Sequence, residues 1–386
     1  MTLSRAERSL VTDWWFTVDR MLLATVLTIA GAGVVLSLAA SPAIAIKRGL
    51  PTYYFVERQL VFIALAVTVM LGLSLLAPGS IRRVALGLLV GSLALLVVVL
   101  VAGAEINGAR RWLHVAGYSL QPSELAKPAF VVLSAWLLAK WRSRPGLLAL
   151  PLALGLHLIL VGLVALQPDV GQAMLVSLVW CMLFFLAGGR VRWFLTLLGM
   201  VAAGFWTAYS TVGYVRLRVD RFLTPGLGES YQATRARQSF VEGGLLGRGP
   251  GEGTIKAVLP DAHNDFIFAV IAEEYGVLAC LVLLGLFALV VTRVFTRQMR
   301  EGDDFLRLAS MGLALLFGLQ SIVNMAVNAG LLPTKGMTLP FISIGGSSTL
   351  SVGVGLGMLL ALTRRRADLA HMQPPFMPMP ARPELA

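Results

Sequence analysis

Charge is what this sequence has least of. Only 13% of its 386 residues are Asp, Glu, Lys or Arg, and acids are the scarcer sign, 20 against 32 bases. Soluble domains keep about a quarter of their residues charged, so composition excludes a water-soluble globule. Cysteine is nearly absent. Cys181 and Cys280 each lie within an apolar run, which leaves core packing as their role and supports neither a disulfide framework nor a cysteine-based metal site. His114, His157, His263 and His371 show no metal-ligand spacing, and no Ser-His-Asp arrangement can be read from them. No internal repeat is visible, which weakens a transporter built from inverted halves.

Hydrophobic residues fill the gap, at 57% of the chain. Apolar runs of spanning length recur near 21–40, 58–77, 83–103, 122–141, 147–166, 171–188, 192–211, 265–292, 306–328 and 346–363. The fold class is therefore an all-α integral membrane protein of about ten transmembrane helices. It reads as one membrane domain over 21–365, between an N-terminal segment 1–20 and a Pro-rich tail 366–386 whose composition predicts disorder. The first run follows Arg5 and Arg8 and ends in Ser41-Pro42-Ala43-Ile44-Ala45, which resembles a signal-peptide cleavage site. It is nevertheless long enough to span a bilayer, whereas a signal h-region has ~7–15 residues, so an uncleaved first helix is expected.

The bases are not spread evenly. They gather between alternate runs: Arg5, Arg8 and Arg20; Arg82 and Arg83; Lys140, Arg142 and Arg144; Arg190 and Arg192; Arg293, Arg297, Arg300 and Arg307; Arg364, Arg365 and Arg366. Starting inside, every inside turn is then basic and both termini are cytoplasmic. The formal charge of +12 is explained by topology, and no nucleic-acid partner is expected. One outer connection breaks the pattern. Residues 212–264, between the seventh and eighth helices, form a long, polar, Gly-rich extracytoplasmic loop, where helix connections usually take ~2–8 residues. The working surface is expected on that side.

Ionisable residues are expensive in a bilayer, so those at or within the apolar runs are the candidates for chemistry. Asp265 stands where the loop meets the eighth helix, in Leu259-Pro260-Asp261-Ala262-His263-Asn264-Asp265-Phe266. It reads either as a helix cap or as a functional acid. Glu273 and Glu274 lie roughly 12 Å deeper and require basic partners or a polar interior. A second group opens the fourth helix. After Gly108-Ala109-Arg110-Arg111-Trp112 comes Gln121-Pro122-Ser123-Glu124-Leu125-Ala126-Lys127, in which Glu124 and Lys127 share a face. They pair with one another, or Lys127, Arg110 and Arg111 offer cations to a phosphorylated substrate. Asp169, in Gln167-Pro168-Asp169, reads first as a helix cap. In the loop, Arg216, Arg218 and Arg221 precede the Gly-rich stretch 243–253, which is no phosphate-binding P-loop because no Gly-Lys-Ser/Thr follows.

In this order the motifs resemble the SEDS family of bacterial cell-wall proteins, which includes FtsW, RodA and SpoVE. The resemblance covers roughly residues 15–365 and rests on the stretches 108–112, 121–127, 167–169 and 259–274, together with Pro340-Phe341-Ile342-Ser343-Ile344-Gly345-Gly346-Ser347-Ser348. Thr334-Lys335-Gly336, within 328–340, resembles the FtsW branch rather than RodA. Two positions depart from the pattern: Ile344 replaces the usual Tyr, and Asn264 stands where Thr is commoner.

The resemblance implies a glycosyltransferase that polymerises lipid II, a disaccharide-pentapeptide on undecaprenyl pyrophosphate, during division. The family's proposed catalytic acid falls on Asp265, as general base. Candidate substrate contacts are Arg110, Glu124, Lys127, His263, Lys335 and Ser347 on these motifs and the loop arginines Arg216 and Arg218, with Glu273, Glu274 and Asp169 as a structural or proton/ion network. These residues make no cofactor certain and leave open a divalent cation, Mg or Mn, which, bridging to Asp265, would suit the leaving pyrophosphate. The implied partners are a class B penicillin-binding transpeptidase of the FtsI type and other division proteins, at the septum of the bacterial inner membrane. The alternatives are a lipid II flippase, a scaffold for division proteins, or the elongation paralogue with the same chemistry.

Overall fold

The structure, a computed structural model, describes residues 10–106, 109–115, 117–145, 148–224 and 231–365. The tail 366–386, Gly108 and Arg5 and Arg8 lie outside the described residues. A short helix α1 (Leu10–Thr17) leads into α2 (Arg20–Lys47), α3 (Tyr54–Ser74) and α4 (Pro78–Ala102). After a small sheet come α5 (Pro122–Ser143), α6 (Ala149–Leu166), α7 (Val170–Leu186) and α8 (Val191–Thr211). The long loop contains α9 (Gly213–Leu223) and α10 (Tyr231–Gly243), and the bundle closes with α11 (Ile267–Gln298), α12 (Asp304–Asn328) and α13 (Gly346–Leu362). Every expected apolar run is therefore helical.

Seven of these helices, α2, α3, α4, α6, α8, α11 and α12, are long and apolar enough to cross a membrane by length and composition. Packing accounts for the other three. α5 carries Glu124, Lys127, Lys140 and Arg142 and lies in the middle of the bundle against α4, α6, α7, α12 and α13, which buries Glu124 and Lys127, while Lys140 and Arg142 are exposed at its far end. α7 and α13 are apolar but have 17 residues each, about 25 Å at 1.5 Å per residue. Both begin at polar structure, α7 at its cap Asp169 and α13 at Gly345. α2 continues through Pro42 with Ala40, Ser41 and Ala45 buried, so the signal-like stretch is part of a packed helix.

Turns separated in sequence collect at one end of the bundle. The Asp19 carboxylate, beside the start of α2, accepts from Arg293 at 3.1 Å and from Arg297, both near the end of α11. Arg364, after α13, donates to the Thr17 hydroxyl at 2.9 Å and to the Leu75 carbonyl at 3.1 Å, and the Arg365 amide donates to the Thr17 carbonyl at 3.0 Å. Arg142, ending α5, reaches Asp304, opening α12, at 3.2 Å. The beginning of α2 and the end of α13 thus share one end of the bundle.

At the opposite end the connections are folded, and the all-α expectation needs one addition. A three-stranded antiparallel sheet, β1 (Ala104–Ile106), β2 (Ala109–Val115) and β3 (Tyr118–Leu120), joins α4 to α5. Gly117, at φ 80°, turns β2 into β3. The loop 212–264 is ordered in its described part, and Glu273 and Glu274 order it. Glu273 accepts the backbone amides of Thr254 at 2.6 Å, Ile255 at 2.8 Å and Lys256 at 3.3 Å. Glu274 accepts the Gly251 amide at 3.0 Å and ion-pairs with Lys256, whose ammonium also donates to the Ala39 carbonyl on α2 at 3.2 Å. Glycine is required where this loop meets α11. A Cβ on Gly247 would lie 2.2 Å from the Glu274 carbonyl oxygen, and one on Gly276, at φ 78°, 2.2 Å from that of Leu245.

Candidate active site

A cavity of about 590 Å³ opens at the folded end, and residues from each stretch that carries the family resemblance line it. β2 contributes Arg111 and Trp112, the start of α5 Gln121 and Glu124, and the α6–α7 turn Asp169. Arg218 comes from α9, Asp261 to Phe266 from the loop before α11, Thr334 to Gly336 from the α12–α13 connection, and Ser347 from the start of α13.

Asp265 is half-buried in the wall, and its backbone is clamped from α12. Asn324 and Asn328, one helical turn apart, donate to the Asp265 carbonyl at 3.0 and 2.9 Å. Asn328 also accepts the Ala269 amide at 3.0 Å, and Asn324 donates to the Met337 carbonyl at 2.6 Å. Those bonds tie the first turn of α11 and the Lys335–Met337 strip to one helix, fixing the carboxylate against both. A Cβ on Gly336 would sit 3.4 Å from Asp265 Oδ2, so that strip's backbone passes close to the acid. Burial, with the neighbouring Asp261 carboxylate, pushes the Asp265 carboxyl up to about 7 against the pull of Arg218.

The same loop is tied to the start of α13. Ser343 Oγ donates to the Asn264 carbonyl at 2.6 Å and accepts the Leu339 amide at 2.7 Å, while the Ile344 amide donates to the His263 carbonyl at 3.0 Å. Gln59 on α3 donates to the carbonyls of Phe341 and Ser343, both at 3.2 Å. Phe341 and Asp261, at φ 62° and 54°, mark the tight turns that this arrangement demands. The His263 ring lies 4.9 Å from that of Phe55, and burial, helped by Arg48, pushes its imidazole down to about 4, leaving it neutral at pH 7.

Cations line the same cavity. Arg218 donates to the Thr334 carbonyl at 3.4 Å. Lys335 is shifted downward by burial, with Asp169 opposing that shift. Arg111 donates to the carbonyls of Gln167, at 3.1 Å, and Pro168, and lies 3.9 Å from Asp169. Arg58 on α3 stands over the Tyr118 ring at 5.2 Å and the Phe62 ring at 5.9 Å, and also lines the cavity. Gly346, Ser347 and Ser348 present the amino end of α13 to the same space, a natural place for anionic groups.

The sequence profile of the FtsW/RodA/SpoVE family, described as cell cycle proteins, matches residues 19–368. The chain belongs to this family. It is 42% identical over 364 residues to a probable peptidoglycan glycosyltransferase FtsW of Caulobacter vibrioides, covering 94% of this chain and 93% of that one. Its match to the FtsW of Trichlorobacter lovleyi is 38%, over 89% and 93% of the two chains. Among solved structures it resembles a chain from a peptidoglycan synthase complex that coordinates polymerization and crosslinking, with TM-score 0.74, 32% identity and coverage of 90% and 98%. The rod shape determining protein RodA of Thermus thermophilus matches with TM-score 0.68 and 31% identity, over 90% and 97%. The multiple apolar helices and the FtsW/RodA/SpoVE membership together make this a membrane protein.

Within this FtsW/RodA/SpoVE fold the candidate residues separate into two groups. Asp265, Glu124, Arg218, His263, Lys335, Ser347 and Asp169 meet at the cavity. Arg110, Arg216, Lys127, Glu273 and Glu274 are not on its wall. Arg110 points to the other face of β2 and pairs with Glu105 at 3.4 Å, so strand alternation gives Arg111, not Arg110, to the site. Arg216 pairs with Asp220 at 3.5 Å on an exposed face of α9. Lys127 spends its three donors on Glu124 at 2.8 Å and on Gln172 and Gln320, both at 3.0 Å. Glu124 Oε1 also accepts from Gln172 at 2.7 Å, so Lys127 orients Glu124 rather than facing a ligand. Asp169 caps α7 through the Gln172 amide at 3.4 Å and accepts from Gln121 at 3.2 Å. Sequence reasoning missed Arg58, Asn324 and Asn328. The two asparagines, buried polar residues one turn apart in an apolar helix, were the available signal.

Proposed function

We propose that the chain polymerises lipid II into glycan strands, with Asp265 as general base. The acceptor's sugar hydroxyl gives its proton to the Asp265 carboxylate while its oxygen attacks the anomeric carbon of the donor. The bond from that carbon to the lipid-linked pyrophosphate breaks, and the pyrophosphate leaves with the electron pair. The carrying observation is the recessed carboxyl, clamped by Asn324 and Asn328 and raised to about 7, where a base is half-ionised near neutral pH. Arg218, Lys335 and Arg111 and the amino end of α13 supply positive potential for the leaving group. The names of the relatives support the same chemistry.

The donor set also fits a magnesium or manganese ion held by Asp265 and Asp261, with substrate phosphates completing its shell. Such an ion would neutralise charge on the pyrophosphate. Among the described residues no cluster of three or more His, Cys, Asp or Glu side chains is placed to hold a metal unaided.

The cavity is assigned to the extracytoplasmic side of the bacterial inner membrane and both termini to the cytoplasm, since the basic turns gather at the opposite end. Division at the septum, rather than elongation, is the reading that the FtsW-like Thr334-Lys335-Gly336 step supports. A class B transpeptidase is the proposed partner, in line with the synthase complex to which the fold is similar. The flippase reading is less well supported, because Lys127 is saturated by Glu124, Gln172 and Gln320 in a closed network rather than free along a headgroup path. Reconstitution with labelled lipid II and a competent partner separates the two. A polymerase lengthens the lipid-linked glycan, whereas a flippase moves label across the bilayer without lengthening it.

A further inference from the structure

At the end of the bundle away from Asp265 a second cavity, of about 490 Å³, opens between the start of α4, the end of α5 and the start of α12. Glu124 on α5 lines the first cavity and Lys140 the second, and the helix between them is roughly 24 Å long at 1.5 Å per residue. The two are distinct sites.

Arg82, Lys140 and Arg144 supply its positive charge, and its acids are already committed. Asp303 caps α12 by accepting the amides of Phe305 at 2.8 Å and Leu306 at 3.1 Å. Asp304 pairs with Arg142 at 3.2 Å and Arg307 at 2.6 Å. Among the described residues no carboxylate pairs with Arg82, Lys140 or Arg144. Arg82 Nε is buried without a hydrogen-bond partner, and leaving a buried donor unsatisfied is costly. Aromatic rings hold the cations in place. The Arg82 guanidinium lies 5.4 Å from the Phe305 ring centre and 5.8 Å from that of Trp136, and Lys140 Nζ stands 4.1 Å over Trp136. A cation resting on a ring face keeps N–H groups available for an anion.

We propose that this cavity seats the phosphate of an anionic phospholipid, held between Arg82 and Lys140 with Arg144 at the rim. The outer face of α4 continues from the site with Leu86 and Val90 exposed, a path for acyl chains. Basic pockets between transmembrane helices on the cytoplasmic side suit such headgroups. The leaflet rests on the orientation proposed above; the binding chemistry does not. Inorganic phosphate offers the same chemistry without the chain.

The test is binding of labelled phosphatidylglycerol to the purified full chain in detergent, with phosphatidylcholine as reference and inorganic phosphate as competitor. At about five-fold per cation, R82Q with K140Q weakens phosphatidylglycerol about 25-fold and leaves phosphatidylcholine unchanged. R83Q, beside the cavity but not lining it, stays within about two-fold. If the double variant does not fold, R144Q at the exposed rim carries the test, with about five-fold weakening expected. Unchanged phosphatidylglycerol binding in whichever of these folds overturns the proposal. Displacement of the lipid by millimolar phosphate overturns the lipid source and reassigns the site to the free anion. Binding is read without turnover, so failure of lipid II polymerisation leaves this result standing.

Discussion

The Asp265 carboxyl links pH to both turnover and stability. With its value raised to about 7, the ionised base accumulates as pH passes neutrality. Polymerisation should therefore rise through about pH 7 and level off above it in a pH–rate profile of the wild type. Stability runs the other way. An unfolded aspartate titrates near ~4, so between there and 7 the folded chain holds the extra proton, and stability falls as pH rises across that window. D265N cannot ionise, and should melt no lower than the wild type at pH 8 in a thermal-shift measurement; a clearly lower Tm would mean that the carboxylate is structural. K127M makes the opposite kind of prediction. It strands the Glu124 carboxylate in a buried network and should cost about 3–5 kcal/mol, with recovery when E124Q is added. Loss of turnover at unchanged Tm would instead place Lys127 on the substrate.

Residues of this kind were unequally legible. Asp265 stood out because an acid at the mouth of an apolar helix is expensive. Arg110 and Arg111 could not be told apart, because which face of a three-stranded sheet meets the cavity is decided by tertiary packing. Arg58 leaves no local pattern, whereas Asn324 and Asn328 show their one-turn spacing in an apolar helix but not the distant Asp265 carbonyl that they clamp.

At the scale of elements, the helices were legible and the loop was not. Apolar runs marked every long helix, since a bilayer demands about 20 apolar residues per pass. The ends moved by a few residues, as in α3, which begins at Tyr54 rather than near 58. The sheet between α4 and α5 was hidden because its strands are short and its pairing is tertiary. The Gly-rich stretch 243–253 showed in sequence only that it is no P-loop, whereas in the fold Gly247 lets it lie against Glu274, and Gly276 on α11 lets that helix lie against Leu245. G276A forces a side chain into both a left-handed backbone and the Leu245 carbonyl, so it should lower Tm and reduce polymerisation together. E274A leaves Lys256 buried without its carboxylate and should destabilise by about 3–5 kcal/mol, with E274Q/K256M recovering part of the loss in the same melting assay.

Across the whole molecule, the division of labour lies along the bundle axis. One end gathers basic turns and joins the end of α1 to the residues after α13 through Thr17, Arg364 and Arg365. The other gathers the sheet, the long loop and the α12–α13 connection around Asp265. Composition and charge placement carried this polarity in the sequence, whereas the meeting of the motifs in one cavity required the fold. The account stands or falls on whether the Asp265 carboxylate takes the proton in strand synthesis. The measurement is the rate of lipid II polymerisation by wild type and D265N, each folded and paired with its transpeptidase, resolved by gel across pH 6 to 9. The account predicts a wild-type rate that climbs through about pH 7 and a D265N rate about 10²–10⁴-fold lower with no such climb. Wild-type rates from D265N would contradict it.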